Sequence, residues 1–332
     1  MPDKLLDQIR TKLGHASLQY TPSLYLDTGI PDLNRVLGHA DKGIPYGAII
    51  EVSGMESVGK SAISLSLAAL AQQDGALVVW GDFERSWSPD WSRTRGLAKC
   101  PACATMINEK CPACGGVDSL FYRLDTSHLQ VLQPYVGTFG ERNEKGKIVP
   151  GKHPRLSTAE EITTEMEAVM TALHRKHDRM VIVVDSIASM LTQSEAAAGL
   201  EGANLRTAQS HPVFLGHLLR RWVGLSQSYN ALIILINQLR QNPMARFGDS
   251  WYTPGGNAPR FYSHVRVRVK RVKGSRIIDT SKGGKGMQIG TQGIMQCKKN
   301  KVGGVEGSEV GYKLMFHGPL EFFPVKSSKE AD

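Results

Sequence analysis

The residues best suited to chemistry stand in one run, Gly54-Met55-Glu56-Ser57-Val58-Gly59-Lys60-Ser61. Two glycines five positions apart, followed by Lys-Ser, have the spacing of a phosphate-binding loop. In such a loop the backbone N–H groups of Gly54, Glu56, Ser57, Val58 and Gly59 point inward at phosphate oxygens. Lys60 reaches the β- and γ-phosphates, and the Ser61 hydroxyl holds Mg²⁺. The pattern alone has false positives. Here a strand-length apolar run, Ala48 to Val52, leads into it and a helix-like run, with Ile63-Ser64-Leu65-Ser66-Leu67-Ala68, leaves it, which is the required context.

Three further groups stand at the ends of apolar strands. Met180 to Val184 ends in Asp185, an acid placed to hold a Mg²⁺ shell through water, or else to cap the next turn. Ala76 to Trp80 is followed by Gly81-Asp82-Phe83-Glu84. A carboxylate there is placed to act on a water near a γ-phosphate, with a plain surface acid as the competing reading. Ala231 to Ile236 ends in Asn237-Gln238, two amides where a γ-phosphate would lie.

The four cysteines Cys100, Cys103, Cys111 and Cys114 form two C-x2-C knuckles with seven residues between them. Two such knuckles can close a tetrahedral zinc site, and a twinned redox motif is the weaker alternative. Cys297 stands alone in an expected strand and reads as a small buried hydrophobe.

Around these groups the pattern is α/β. Short helices are expected over 4–13 and 28–37, and a strand, interrupted by Pro22, over 16–26. Ser157-x-x-Glu160 has capping-box spacing and opens a helix to about His177, with Ile162, Met166, Val169, Met170 and Leu173 as its apolar stripe. Residues 97–157 read as an insert that holds the cysteines, one strand candidate at 120–124 and a polar loop at 137–156. The segment 191–205 is small and polar. A long helix follows to about Tyr229 and is expected to bend near His211-Pro212. The loop 241–257 carries Arg246, Phe247, Trp251 and Tyr252, either to stack on unpaired bases or to pack on the body. Val265, Val267 and Val269 alternate with Arg266, Arg268 and Lys270, as in a half-buried antiparallel strand. Further strands are expected near 291–299 and 310–316, and a loose tail from 327.

The chain has 332 residues and a formal net charge of +9. Positive charge concentrates between Arg260 and Lys301, where Asp279 is the only acid, so the face is either a solvated sheet or a phosphate-facing surface. No run of eighteen apolar residues occurs, and the charged N-terminus lacks a signal-peptide core. The expectation is a cytoplasmic protein with no membrane contact.

Taken in order, these motifs resemble the bacterial RecA recombinases over roughly residues 25–316, the insert excepted. Gly54 to Ser61 matches the phosphate loop and Val181 to Met190 the second nucleotide motif. Ile236 to Arg240 matches the amide tip. Thr253 to Arg271, with its Gly255-Gly256-Asn257-Ala258 and Phe261-Tyr262 block, matches the close of the second DNA loop. Gln296 to Lys301 matches a lysine-rich strand end. The resemblance implies a RecA-like α/β core with a mostly parallel sheet and an antiparallel C-terminal extension. With the insert that carries the zinc knuckles (97–157) set apart, it divides the chain into an N-terminal oligomerisation segment (1–30), which docks on a neighbour or else packs on its own domain, an ATPase core (31–96 and 158–320) and a flexible tail (321–332).

It implies ATP and Mg²⁺ as ligands and Glu84 as the water-activating base. Trp91 would stack on adenine, and Gln238 would sense the γ-phosphate. Lys299 and Lys301 would reach the ATP of a neighbouring subunit. It implies contacts to DNA from Arg220, Arg246, Phe247, Trp251, Gly255 and Gly256. The implied activity is DNA-dependent ATP hydrolysis in a helical homo-oligomeric filament on single-stranded DNA, which pairs with homologous duplex and exchanges strands. The sequence departs from that pattern at Ser88, where an acid is usual, in the first DNA loop, in the cysteine insert, and in having no C-terminal domain after about residue 320. Two alternatives remain: a ring-forming branch-migration ATPase resembling RadA/Sms, favoured by the cysteines and by Lys299-Asn300-Lys301-Val302-Gly303, and a non-enzymatic DNA-binding or regulatory module.

Overall fold

The computed structural model describes residues 21–88, 96–99, 120–123, 129–137, 140–142, 148–150, 155–198, 205–241, 250–279, 286–316 and 320–325. The helix expected over 4–13, the four paired cysteines, Trp91, Arg246 and Phe247 lie outside the described residues, as does the tail from 327.

An eleven-stranded sheet dominates. Its strands are β1 (Ile49–Gly54), β2 (Leu77–Asp82), β3 (Gly96–Lys99), β4 (Leu120–Arg123), β5 (Leu129–Leu132), β6 (Met180–Asp185), β7 (Ala231–Gln238), β8 (Val265–Asp279), β9 (Met287–Asn300), β10 (Glu309–Met315) and β11 (Leu320–Pro324). They lie side by side in the order β4-β3-β11-β10-β9-β8-β1-β7-β6-β2-β5. From β8 to β5 every neighbouring pair is parallel, whereas β8 to β11 form an antiparallel meander.

The helices are α1 (Pro31–Leu37), α2 (Lys60–Gln73), α3 (Ala159–Leu173), α4 (Gln193–Ala198), α5 (Leu205–Ala208), α6 (Ser210–Ser228) and α7 (Ala258–Tyr262). Side chains of a strand alternate between faces, and the core follows that period of two. Ile50, Val52, Val78, Trp80, Val181, Val183, Leu232 and Ile234 join one buried cluster with α1 and α2. Ile49, Leu77, Val79, Ile182, Val184, Ile233 and Leu235 face the other way, onto Ile162, Met166 and Met170 of α3 and Leu215, Leu219 and Trp222 of α6. Continuous apolar runs are what a parallel strand covered on both faces requires. Truncating a fully buried aromatic such as Trp80 or Trp222 to alanine would cost ~3–5 kcal/mol.

Several expectations shift. The capping box of α3 is one residue later than read: Thr158 is the N-cap, and its N–H donates to Glu161 Oε2 at 2.8 Å. Ser157 Oγ instead accepts the N–H of Tyr135 (2.9 Å), and Glu160 accepts that of Gln193 (2.9 Å), so both acceptors are used outside the cap. The helix ends at Leu173, short of His177. The long helix expected to about Tyr229 is interrupted at Gln209, between α5 and α6 and close to the expected bend; Pro212, in the first turn of α6, has no N–H to donate to the carbonyl of Ala208 four residues back. Strand β8 is antiparallel only towards β9; its other edge pairs parallel with β1. Within the stretch read as an insert, Leu129–Leu132 pairs parallel with β2 at the sheet's edge. Cys297 is buried as expected, and burial pushes its thiol up to about 11.

Candidate active site

The phosphate loop joins the carboxyl end of β1 to the first turn of α2. Gly54 ends the strand where the chain runs close under its neighbours: a Cβ there would lie 2.7 Å from the Val269 carbonyl oxygen and 2.8 Å from Val58 Cγ2. Ser57 (φ 55°) and Gly59 (φ 93°) adopt left-handed conformations, so the loop turns sharply into the helix. Glu56 and Ser57 are exposed, and Val58 is buried as the loop's anchor. The loop is braced from outside. Tyr312 Oη of β10 donates to the Val58 carbonyl, and Arg271 Nη2 of β8 donates to the Ser57 carbonyl at 2.8 Å. Neither brace was legible as such in the sequence.

Inside the loop, Lys60 Nζ donates to the Met55 carbonyl at 2.8 Å. Burial pulls the Lys60 ammonium below its ordinary range, against the opposing charges of Asp185, Glu84 and Glu56. The Ser61 hydroxyl is hydrogen-bonded to Asp185. Burial raises the Asp185 carboxyl to about 7; the Ser61 bond opposes the rise, and the negative charges of Glu84 and Asp82 add to it. A cation-ready cluster of Ser61 with a buried acid, beside a desolvated lysine, fits a magnesium–nucleotide pair: the metal would neutralise the crowded carboxylates and the phosphates would take the Lys60 ammonium.

Glu84 is carried just past β2. Phe83 and Glu84 donate their N–H groups to the Asp185 carbonyl at 2.7 and 3.3 Å, which ties the turn to the tip of β6. Glu84 Oε1 accepts from Ser186 Oγ at 2.6 Å and from Ser189 Oγ at 3.2 Å. Asp82, one of the two acids in this turn, plays a structural part. Its buried carboxylate accepts the N–H groups of Ser86 (3.1 Å) and Trp87 (2.7 Å) and Nε2 of Gln133 (2.7 Å). Asp82 therefore shapes the turn and Glu84 projects from it. The signal that could have separated them is strand register, since Asp82 pairs with Asp185 as the last residue of β2.

Gln238 ends β7 directly opposite Gly54, and the next residue, Leu239, donates its N–H to the Gly54 carbonyl at 3.1 Å. A cavity of about 540 Å³ is shared by the outer face of the phosphate loop, Gln238 and Trp251. Trp251 stands at the foot of the loop after β7, where Arg240–Gln241 pair antiparallel with Trp251–Tyr252. Gly255 (φ 98°) and Gly256 (φ 68°) pack on α6, where added Cβ atoms would lie 2.6 Å from Leu215 Cδ1 and 3.0 Å from Pro212 Cβ. These two glycines are required by the fold itself.

A larger cleft, about 1100 Å³, opens between this loop, the start of α6 and the end of β9. Trp251, Gly255, Gly256, Arg260, Lys299 and Lys301 line it, whereas Lys60 and Glu84 do not. Lys299 is engaged within the chain: Nζ donates to the carbonyls of Arg260 (2.8 Å), Phe261 (3.2 Å) and Ser263 (2.6 Å), capping α7. Burial lowers the Lys299 ammonium from its ordinary value, and Lys301 and Arg266 lower it further. Lys301 is exposed. Asn300 between them is a turn organiser, with Nδ2 donating to the Gly38 carbonyl (2.9 Å) and Oδ1 accepting from Val302 (2.9 Å) and Gly304 (3.0 Å). Arg220 is exposed on α6, with Nε donating to Tyr262 Oη at 3.3 Å.

The basic face of β8 is only partly free for a ligand. Arg266 belongs to a buried carboxylate, Glu51, and Lys270 pairs with Glu309 at 3.3 Å.

The order of these elements along the chain agrees with a known family. The profile of the RecA N-terminal domain matches residues 7–100 and 159–317, leaving out 101–158. The chain belongs to the RecA family. Protein RecA of Clostridium botulinum is 30% identical over 291 residues, which cover 88% of this chain and 63% of that protein. Protein RecA of Clostridioides difficile is 28% identical over 294 residues, or 88% of this chain and 64% of that protein. Protein RecA of Heliobacterium modesticaldum is 27% identical over 291 residues, or 88% and 65%. The chain thus spans a little under two thirds of the length of these RecA relatives. Among the described residues no helix is long and apolar enough to cross a membrane.

Proposed function

We propose that this RecA-family chain is a DNA-dependent ATPase that assembles on single-stranded DNA as a helical filament, pairs it with homologous duplex and promotes strand exchange. The observation that carries the reading is the position of Gln238. It stands beside the first glycine of the phosphate loop on the neighbouring strand, and it opens the segment that leads to Trp251, Gly255 and Gly256. One amide can therefore respond to a phosphate and move a loop.

Magnesium-bound ATP, when present, supplies the transferable phosphoryl group and the charge that Ser61 and Asp185 would hold. Lys60 exchanges the Met55 carbonyl for phosphate oxygens. Glu84, fixed through Oε1 by Ser186 and Ser189, orients a water and accepts its proton. Catalysis is positioning and charge stabilisation, without a covalent intermediate. Trp91 would cover the adenine. Arg220, Arg246, Phe247 and Trp251 would meet the DNA, with phosphate contacts that make binding salt-dependent.

Lys299 and Lys301 line a cleft separate from their own phosphate loop, which is what a contribution to the neighbouring subunit's site would need. The four cysteines of 97–157 would hold a structural zinc. The ring-forming alternative draws on the cysteines and the Lys-Asn-Lys stretch, but the Asn300 side chain is engaged within the chain, by its own turn through Oδ1 and by the Gly38 carbonyl through Nδ2.

Electron microscopy of the full chain with single-stranded DNA and a slowly hydrolysed ATP analogue tests the assembly. Helical filaments are expected. Closed rings, or no assembly alongside intact nucleotide binding, would overturn it.

A further inference from the structure

Beneath the nucleotide loop lies a buried polar chain that neither the phosphate loop nor the DNA loop requires for contact with a ligand. Glu51 sits at the middle of β1, fully buried, three residues before Gly54. A buried carboxylate is tolerated only when paired and hydrogen-bonded, and its partners come from distant parts of the chain. Arg266 Nε of β8 donates to Glu51 Oε2. Asn237 Nδ2 of β7 donates to Glu51 Oε1 at 2.9 Å.

Both partners also reach the loop. Asn237 Nδ2 donates to the Pro254 carbonyl at 3.1 Å, and Arg266 Nη2 donates to Thr253 Oγ1 at 3.3 Å. The other end of the Asn237 amide, Oδ1, accepts the backbone N–H of Gln238 at 2.9 Å. The peptide that presents Gln238, the strand that enters the phosphate loop and the base of the loop at Thr253–Pro254 are thus held by three side chains. The loop continues into Gly255 and Gly256, which adopt left-handed conformations against Leu215 and Pro212 of α6. A shift of the Gln238 peptide moves the Asn237 amide, and the amide cannot move without changing its bond to Pro254.

We infer that Glu51, Asn237 and Arg266 are positioning residues that transmit nucleotide occupancy from the Gln238 peptide to the base of the DNA loop, with Thr253 as the receiving hydroxyl. This rests on the ATPase reading above, and it assigns to the interior of the sheet a coupling that surface residues alone would not supply. It also explains why Arg266, in the most basic stretch of the chain, is withheld from phosphate: its charge is needed by Glu51.

The test uses the full chain, a slowly hydrolysed ATP analogue with Mg²⁺, and hydrogen–deuterium exchange of peptides covering 250–260, with no DNA present. In the wild type the nucleotide should slow exchange there. Thr253→Val removes the receiving hydroxyl at constant shape, near the surface, where misfolding is not at issue. It should clearly weaken that response, since only the Asn237 bond to Pro254 then links the loop base to the Gln238 peptide, while leaving the affinity for a fluorescent ATP analogue unchanged, and Thr253→Ser should restore it. Glu51→Gln should behave as Thr253→Val does. Arg266→Lys keeps the charge but cannot hold Glu51 and Thr253 together, and it should do the same. The ratio of single-stranded DNA affinities with and without nucleotide should fall by about tenfold in each, within the ordinary range of inter-site coupling.

A wild-type protein whose 250–260 exchange ignores nucleotide would overturn the inference. So would folded Thr253→Val and Glu51→Gln proteins that respond as the wild type does. Wild-type turnover that ignores DNA would count against the ATPase reading instead, because the exchange measurement needs no DNA.

Discussion

Replacing Glu84 by glutamine separates binding from chemistry in a way the geometry makes quantitative. Glu84 is held through Oε1 by the hydroxyls of Ser186 and Ser189, at 2.6 and 3.2 Å. A glutamine keeps an oxygen that can accept both bonds, so the side chain stays in place. Its second terminal atom becomes an NH₂ group, which cannot take a proton from water. General-base catalysis is worth ~10²–10⁴ in rate. At about 1.36 kcal/mol per tenfold, that is ~3–5 kcal/mol of barrier. Removing a negative charge near Lys60 and the phosphates should leave nucleotide affinity unchanged or slightly tighter. The assay is single-turnover phosphate release with saturating single-stranded DNA, run beside a fluorescent-nucleotide titration. Glu84→Gln should bind nucleotide as the wild type does and release phosphate at least ~100-fold more slowly. Turnover within a few-fold of wild type would show that Glu84 is not the base. A parallel loss of binding would show that it is a structural residue.

Lys299→Ala removes a cap of three carbonyls from α7 and should lower stability to chemical denaturation by ~1–2 kcal/mol, whereas Lys301→Ala, at an exposed position, should change it by less than about 0.5 kcal/mol; equal effects would remove the distinction between the two lysines. In metal-free buffer the native state keeps a proton on Asp185 between the ordinary 3.8 and about 7, while the unfolded chain releases it, so this group's contribution to stability falls as pH rises through that window. Asp185→Asn should flatten the slope in a pH series of denaturation curves, and an unchanged slope would assign it elsewhere. Metal analysis of anaerobically purified protein should find about one zinc per chain if the four cysteines close the proposed site, and Cys103→Ser should lower that content; clearly substoichiometric zinc in the wild type would remove the assignment.

What can be read from the sequence follows from how local each signal is. The phosphate loop, the buried strands ending in Asp185 and Gln238, and the valine alternation of β8 are each carried by neighbouring residues, and each stands where the pattern places it. Local reading fails where two patterns compete. Ser157/Glu160 and Thr158/Glu161 have identical cap spacing, and only the partners Tyr135 and Gln193, supplied by distant segments, decide between them. Leu129–Leu132 is too short to stand out in a polar region, yet it completes the sheet beside β2.

Contacts between far parts of the chain leave no local mark at all. Glu51 looks like an interruption in an apolar strand, and Arg266 looks like one more cation in a basic stretch. Their pairing across 215 positions changes the meaning of both. In the sequence Lys299 has meaning through the resemblance, as a lysine reaching a neighbouring subunit or as part of a Lys-Asn-Lys stretch, and its cap on α7 is visible only once β9 and α7 are seen side by side.

The proposed function stands or falls on whether the phosphate-loop site and the loop from 241 to 257 act as one device. Phosphate release by the wild-type chain, with and without single-stranded DNA at saturating ATP and Mg²⁺, is the deciding measurement. Strong stimulation by DNA that weakens steeply with added salt is expected. Equal rates with and without DNA, in a protein that binds both ATP and DNA, would contradict the coupling.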